Sequence, residues 1–440
     1  MKSLSQNPRA PRWERRAVPR MEGEMSVALL RDSSLTQRDA ARRPCPEGRC
    51  QAGAPRRQSP WTMNRIAPRA LPCGASRLTS SRHTGVLGQA LKSHAVILGA
   101  AGYGGGELLR LLLGHPNIQA IRAVSKSQAG QAVWITNPNL RGFTDDAYYA
   151  EADWDSLPGT GAIVVFSAQP HFELAAQLEE LESRWASAGI ADRVTLIDLS
   201  GDFRLSNAAR FEAAYGQPHP CAHRLGSFVY GLPEWKAPEI RGAARIANPG
   251  CFATALQLAL LPLHGLDLGF VAACGVTGSS GSGALPSETA HHPTRAHDFR
   301  AYKALEHQHQ AEMEGLLRGQ GITAELSFVP HSAPMVRGIF ATVQFRLPDG
   351  LDEAALRQRF QAAYGNAPFI RQVDGSPRLL SVVGTNFCEL GLKVNGRGAV
   401  IFAALDNLIK GMAGQAVQNM NLSLGLSEKT GLWAPGVFPA

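Results

Sequence analysis

His94-Ala-Val-Ile-Leu98, followed by Gly99-Ala-Ala-Gly102-Tyr103-Gly-Gly105-Gly-Glu107, decides the fold. Five apolar-weighted residues read as a buried strand. The glycine-rich segment is a tight turn, and Glu107–Leu113 is a helix ended by Gly114-His115-Pro116. Working outward, Ile118–Val124 reads as a second strand. Ala162–Ser167 and Val194–Leu199 are further strands, with a helix from His171 to Gly189 between them. Alternation of strand and helix implies a parallel sheet with crossover helices, a Rossmann-type α/β domain. The glycine spacing is G-x-x-G-x-x-G. Small residues let the backbone approach a pyrophosphate, and a helix N-terminus offers free N–H groups at its positive dipole end. Gly99, Gly102, Tyr103 and Gly105 are therefore candidate dinucleotide contacts; the competing reading is an ordinary strand-to-helix turn.

The end of the second strand bears on that choice. An NAD enzyme carries Asp or Glu there to hold the ribose 2′-hydroxyl. This chain has Ser125-Lys126-Ser127, two hydroxyls and a cation with no carboxylate. That combination suits a 2′-phosphate and predicts NADP; the alternative is that Lys126 is a solvated loop charge.

Past Pro249 the texture changes. Phe252–Leu261 reads as a helix, Thr277–Gly283 as a Gly/Ser-rich loop and Tyr302–Leu317 as a helix. Ile339–Phe345 alternates as a strand with one polar face, Asp352–Tyr364 is a helix, Ala399–Leu405 a strand and Leu408–Leu424 a helix. The expected organisation is a dinucleotide-binding domain over 93–249, an inserted α+β catalytic and dimerisation domain with a mixed sheet over 250–405, and a segment over 406–440 whose helix returns to the first domain. Residues 1–92 differ from the rest: rich in Arg, Pro and Ser, without hydrophobic periodicity, they read as a disordered extension. A tail, a transit peptide and a start site placed too early, with Met63 a later candidate, all stay open.

Charge and cysteine content narrow the function. The chain has 440 residues and a formal net charge of +8, but residues 1–90 hold seventeen basic side chains against six acidic ones. The remainder carries 27 basic and 30 acidic residues, which argues against a nucleic-acid or anionic-membrane surface. Apolar runs such as Leu258–Leu261 fall short of a membrane span. Seven cysteines without a C-x-x-C pair suggest neither a disulfide framework nor a metal site, and no secretory signal is visible; a cytoplasmic enzyme is expected.

Asn248-Pro249-Gly250-Cys251 places a cysteine after a Pro-Gly turn, where it opens a helix. A thiol at a helix N-terminus has its thiolate stabilised by the dipole, and the thiolate is the nucleophile; the bland alternative is a buried small hydrophobe. Such a nucleophile needs a proton-transfer partner. His307-Gln308-His309, with Glu312 following, lies within the expected helix. Residues two apart on a helix diverge by about 200°, so only one of the two rings is expected to meet the thiol. Arg204 and Arg337 lie in turn-like segments, where a guanidinium fork suits a carboxylate or phosphate; each has the alternative of a structural ion pair. Ser279-Ser-Gly281-Ser-Gly283 offers backbone N–H groups to a phosphate, with a flexible linker as its alternative.

The motifs GAAGYGGGELLRLL (99–112), DLSGDFRL (198–205), YGLPE (230–234), NPGCFAT (248–254), GSSGSG (278–283), EHQHQAE (306–312), PHSAPMVRG (330–338), VVGTNFCELG (382–391) and DNLIKGMAGQAVQNMN (406–421) run in one order across 94–440. In that order the chain resembles the N-acetyl-gamma-glutamyl-phosphate reductases, NADP-dependent enzymes of arginine biosynthesis related to aspartate-semialdehyde dehydrogenase. The resemblance implies Cys251 as nucleophile and His307 as acid–base group. It places Arg204, Asn248, His309, Glu312, His331 and Arg337 around the substrate and adds Gly281 and Asn407 to the NADP contacts. It also implies a small-molecule acyl phosphate as substrate and a homodimer or homotetramer. The chain departs from the family pattern at Glu306, at Ala311-Glu312-Met313 and at Ala284-Leu285. The same chemistry on an N-succinyl-glutamyl phosphate or a carrier-linked aminoadipyl phosphate is the near alternative, and a non-catalytic dinucleotide-binding protein the distant one.

Overall fold

The computed structural model describes residues 92–438. The expected disordered extension falls on residues 1–92, nearly all outside the described ones.

Strands β1 (Ser93–Leu98), β2 (Ile118–Val124), β3 (Ile163–Ser167), β4 (Val194–Asp198), β5 (Val229–Tyr230) and β6 (Arg245–Ala247) form one sheet in the order β2-β1-β3-β4-β6-β5. Every pairing is parallel. Its central strands are apolar on both faces because both are covered. Ala95 and Ile97 of β1 and Val164 and Phe166 of β3 pack on one side, in a core shared with Leu108 and Leu112 of helix Tyr103–Leu113 and with Val417 and Met420 near the C-terminus. Val96, Leu98, Ile163 and Val165 point the other way, onto Leu174, Leu178 and Trp185 of helix Glu173–Ser187. Helix Gly414–Ser423, which carries Val417 and Met420, thus packs on the first sheet.

Strands β7 (Asp267–Thr277), β8 (Arg300–Ala301), β9 (Thr323–Ser332), β10 (Ile339–Arg346), β11 (Ile370–Asp374), β12 (Cys388–Asn395) and β13 (Gly398–Leu405) build a second sheet, ordered β11-β12-β13-β10-β7-β9-β8. It is mixed: β7 pairs parallel with β9 and antiparallel with β10. Ile339, Ala341, Val343 and Phe345 of β10 point into a core containing Phe252, Leu256 and Leu260 of helix Cys251–Leu260. The alternate residues Phe340 and Thr342 lie on the half-exposed face.

Two expected helices differ. Residues 302–306 are not helical. The Tyr302 and Leu305 N–H groups donate to the carbonyls of Pro330 and Phe328 on β9, and Lys303 and Leu305 take positive φ of 44° and 64°. The segment thus follows a strand edge, and the helix begins only at Gln308, running to Gly319. Near the C-terminus Ile409–Ala413 is a π-helical turn ahead of helix Gly414–Ser423. No helix among the described residues is long and apolar enough to cross a membrane.

Candidate active site

The carboxyl ends of β3, β4, β6 and β5 lie side by side, because Ser167 pairs with Asp198, Asp198 with Ala247 and Tyr230 with Ala247. The loops that leave these ends carry DLSGDFR, NPGC and YGLPE to one place, where ligands of open parallel sheets bind. Gly250 is the N-cap and Cys251 the first residue of helix Cys251–Leu260.

The turn into Cys251 is fixed from both sides. Glu312 Oε1 accepts the Gly250 N–H at 2.8 Å and the Tyr230 hydroxyl at 2.6 Å, while Oε2 lies 3.4 Å from Arg204 Nη1. Arg204 Nε donates to the Asn248 carbonyl at 2.8 Å, and Nη2 to the Leu199 carbonyl at 2.9 Å. Asn248 Nδ2 donates to the Met412 carbonyl, and its Oδ1 accepts from Asn419. Asn248 is fully buried and both ends of its amide are occupied by protein groups, so it braces the turn. Arg204 is similarly committed: it is buried, and its guanidinium faces Asn248, Leu199, Glu312 and His309.

Burial dominates the site's titration. The Cys251 thiol is pushed up to about 11 by burial, with Arg204 working in the opposite direction. Desolvation thus opposes the stabilisation of a thiolate expected at a helix N-terminus. The two histidines are not separated by helical phase, because His307 lies outside the helix as its N-cap. His307 Nδ1 accepts the His309 N–H at 3.2 Å, and the ring centroids are 4.6 Å apart. Burial first, then Lys303 and Arg204, pulls His307 down to about 4; burial and His307 hold His309 well below its usual value. Both rings are neutral near pH 7. His309 packs on the turn into Cys251: a Cβ added at Gly250 would clash with its imidazole, so the position suits glycine. Nε2 lies 3.4 Å from Arg204 Nη1, and Nδ1 is buried without a partner.

The dinucleotide side is open by contrast. Gly99 has φ +76°, and a Cβ there would fall 2.7 Å from the Ala168 carbonyl oxygen. Helix Tyr103–Leu113 has neither a side-chain N-cap bond nor an acidic first turn, which leaves its leading N–H groups for an anion. This arrangement fits a pyrophosphate at Gly102 to Gly105. Beyond β2, Ser125 is buried and its Oγ lies 3.4 Å from Ser127 Oγ, while Lys126 and Ser127 are exposed.

The Gly/Ser-rich loop is different. Ser279–Ser282 forms a 3-10 turn, and the N–H groups of Gly278, Ser279 and Ser280 donate to the carbonyls of Gly338, Met335 and Val336; those of Gly281 and Gly283 close the turn itself. The expected backbone phosphate cradle is thus largely occupied by protein. Asn407 holds this loop, with Nδ2 donating to Ser280 Oγ at 3.0 Å and Oδ1 accepting the Gly338 N–H at 2.7 Å, so its amide is committed. Arg337 binds two protein carboxylates, Glu107 at 2.7 Å and Asp406 at 3.1 Å, and so ties the second sheet to helix Tyr103–Leu113. His331 Nδ1 lies 3.2 Å from Cys274 Sγ, and its ring stacks on Phe299.

The sequence reading assigned no site role to Tyr230, Asp198 or Asp406, although each lies in a quoted motif. Tyr230 shares Glu312. Burial, then the neighbouring Asp202 carboxylate, pushes Asp198 well above the usual carboxylate range. Asp406 accepts the N–H groups of Gly384, Leu408 and Ile409 as well as Arg337.

Residues 94–243 match the NAD-binding domain, and residues 251–407 the dimerisation domain, of semialdehyde dehydrogenases. The chain belongs to the semialdehyde dehydrogenase family and is a nicotinamide-dependent oxidoreductase of α/β architecture. Among its relatives are a [LysW]-L-2-aminoadipate 6-phosphate reductase of Deinococcus radiodurans, 39% identical over 362 residues, covering 79% of this chain and 99% of the relative. An N-acetyl-gamma-glutamyl-phosphate reductase of Methanopyrus kandleri is 40% identical over 349 residues, covering 78% and 98%. The fold is shared with aspartate semialdehyde dehydrogenase II of Vibrio cholerae at a TM-score of 0.53 and 17% identity, over 75% of this chain and 97% of that one.

Proposed function

We propose that the protein reduces N-acetyl-gamma-glutamyl phosphate to N-acetylglutamate semialdehyde with NADPH, releasing phosphate through a thioester on Cys251. The observation that carries this reading is the Cys251 turn itself: Arg204 and Glu312 fix it and the His309 ring packs against it, while the thiol has no fixed partner of its own. Cys251 Sγ attacks the acyl carbon, the bond to the phosphate oxygen breaks, and the S–H proton passes by way of His309 Nε2 to the departing phosphate. The reduced nicotinamide, when bound, would supply the hydride that takes the thioester to a thiohemiacetal oxyanion, whose charge passes to sulfur on collapse. Collapse of the thiohemiacetal breaks the C–S bond, releases the aldehyde and leaves a thiolate that takes a proton from solvent. Fixing the turn in advance places the nucleophile without reorganisation at the moment of attack.

His309 takes the proton-transfer role that the sequence reading gave to His307. What supports this choice is that His309 Nε2 lies against the Gly250 turn, whereas His307 spends Nδ1 on the helix cap. Exposed Lys126 and Ser127 at the end of β2, with no carboxylate beside them, favour the 2′-phosphate of NADP. The half-exposed face of the second sheet, in a region matching a dimerisation domain, supports a homodimer or homotetramer. The expectation of a cytoplasmic location is kept.

A second reading keeps the chemistry and changes the acyl group, since the Deinococcus radiodurans relative is named for a LysW-linked aminoadipate phosphate. The reverse reaction separates the two. With NADP and phosphate, N-acetylglutamate semialdehyde is expected to be oxidised in a phosphate-dependent way, faster than the N-succinyl or carrier-linked semialdehyde. Turnover confined to the carrier-linked compound would replace the substrate.

A further inference from the structure

Away from the active site, Cys221, His223 and Glu179 converge. Their sulfur, imidazole and carboxylate donor atoms all lie within 4.8 Å of one another. Cys221 Sγ is 3.8 Å from His223 Nε2, which is 2.8 Å from Glu179 Oε1. The C-x-H spacing alone suggests nothing; the fold supplies the third donor from helix Glu173–Ser187, 44 residues before His223.

We propose that Cys221, His223 and Glu179 form a binding site for a zinc-class divalent transition metal, with the fourth position open to solvent. A tetrahedral ion with bonds of about 2.3 Å to sulfur and about 2.0 Å to nitrogen separates those donors by about 3.5 Å, so the 3.8 Å spacing needs only a small closure. Glu179 has to withdraw slightly from the imidazole, and it is free to do so: the Glu179 and His223 side chains are 63% and 66% exposed. The thiol is the fixed member, buried at the start of the 3-10 turn Ala222–Arg224, with its own N–H held by His219 Nδ1.

The neighbouring charges leave this carboxylate available. Glu182, one turn along the same helix, is taken by Arg224 and Arg245, which leaves Glu179 as the acid facing the thiol and imidazole. One thiolate, one imidazole and one carboxylate suit zinc or cobalt and exclude a magnesium or calcium preference, since those ions take oxygen ligands.

Cobalt titration of the EDTA-treated, desalted full chain tests the site. A near-ultraviolet thiolate-to-cobalt band is expected to saturate at one Co2+ per chain, to survive Cys251→Ala, to vanish in Cys221→Ala and to be bleached by one equivalent of Zn2+. Because Cys221 is buried and its loss can perturb folding, the exposed Glu179→Gln is the second variant. It is expected to keep the band and weaken Co2+ by about tenfold or more. Absence of the band in the unmodified protein, its survival in Cys221→Ala, or unchanged cobalt affinity in Glu179→Gln would overturn the proposal.

Discussion

The turn that ends in Cys251 and the turn that opens helix Tyr103–Leu113 both join a strand of the parallel sheet to the N-terminus of a helix, yet they are finished in opposite ways. Around Cys251 the polar groups are committed: Gly250 N–H to Glu312, the Asn248 carbonyl to Arg204, the Asn248 amide to Met412 and Asn419. Around Gly99 to Gly105 no side chain braces the turn: the Ala100 and Gly102 N–H groups go to backbone carbonyls, and the helix, which like the one at Cys251 has no side-chain cap bond, follows directly. On the proposed function, the difference follows from what each turn has to do. A covalent nucleophile is used in place and gains from a geometry settled before the substrate arrives. A dinucleotide would enter and leave in each cycle, and a turn held by backbone alone, with the first helical N–H groups facing outward, suits it.

Removing the commitment on the Cys251 side is expected to give the largest effect. Glu312→Gln leaves Arg204 buried without its carboxylate and is expected to cost about 3 kcal/mol or more of stability, read by denaturant unfolding. A loss below about 0.5 kcal/mol, on the scale of an exposed pair, would mean that the turn does not depend on this ion pair. Next comes proton transfer: His309→Asn is expected to lower kcat by about 10²-fold. His307→Asn keeps a capping acceptor and is expected to cost less; the reverse order would return the role to His307.

These two residues also show what the sequence made legible. The Rossmann-type sheet was readable because its central strands are short apolar runs buried on both faces; the edge strand Ile118–Val124, partly exposed over most of its length, also has the expected bounds. Cys251 was legible through its Asn-Pro-Gly turn. The start of the histidine helix was not, because Tyr302 and Leu305 hydrogen-bond to carbonyls of β9, a partner that no local pattern reveals. Arg204 and Arg337 were recognisable as carboxylate binders, but their carboxylates belong to the protein, and the Arg204–Glu312 pair spans 108 residues. The Gly/Ser-rich loop resembles the Gly99 turn in composition and differs in acceptors, which only the neighbouring segment 335–338 supplies.

Two smaller effects sharpen the contrast. With the thiol pushed up to about 11, deprotonation and hence iodoacetamide labelling of Cys251 in the free enzyme is expected to rise about tenfold per pH unit from 7 to 10. Labelling already at its plateau near pH 7 would show that the helix N-terminus and Arg204 prevail over burial. On the open side, Lys126→Glu is expected to weaken NADPH about tenfold, roughly 1.4 kcal/mol, and NADH little. Equal weakening of both cofactors would separate Lys126 from the 2′-phosphate.

The central claim is the thioester on Cys251, and mass spectrometry of the enzyme mixed with N-acetyl-gamma-glutamyl phosphate in the absence of NADPH tests it directly. The expected result is one N-acetylglutamyl group per chain on the peptide that carries Cys251, with one equivalent of phosphate released and neither seen in Cys251→Ala. Phosphate release by the unmodified enzyme with no acyl group on Cys251, or with the acyl group on another residue, would contradict it.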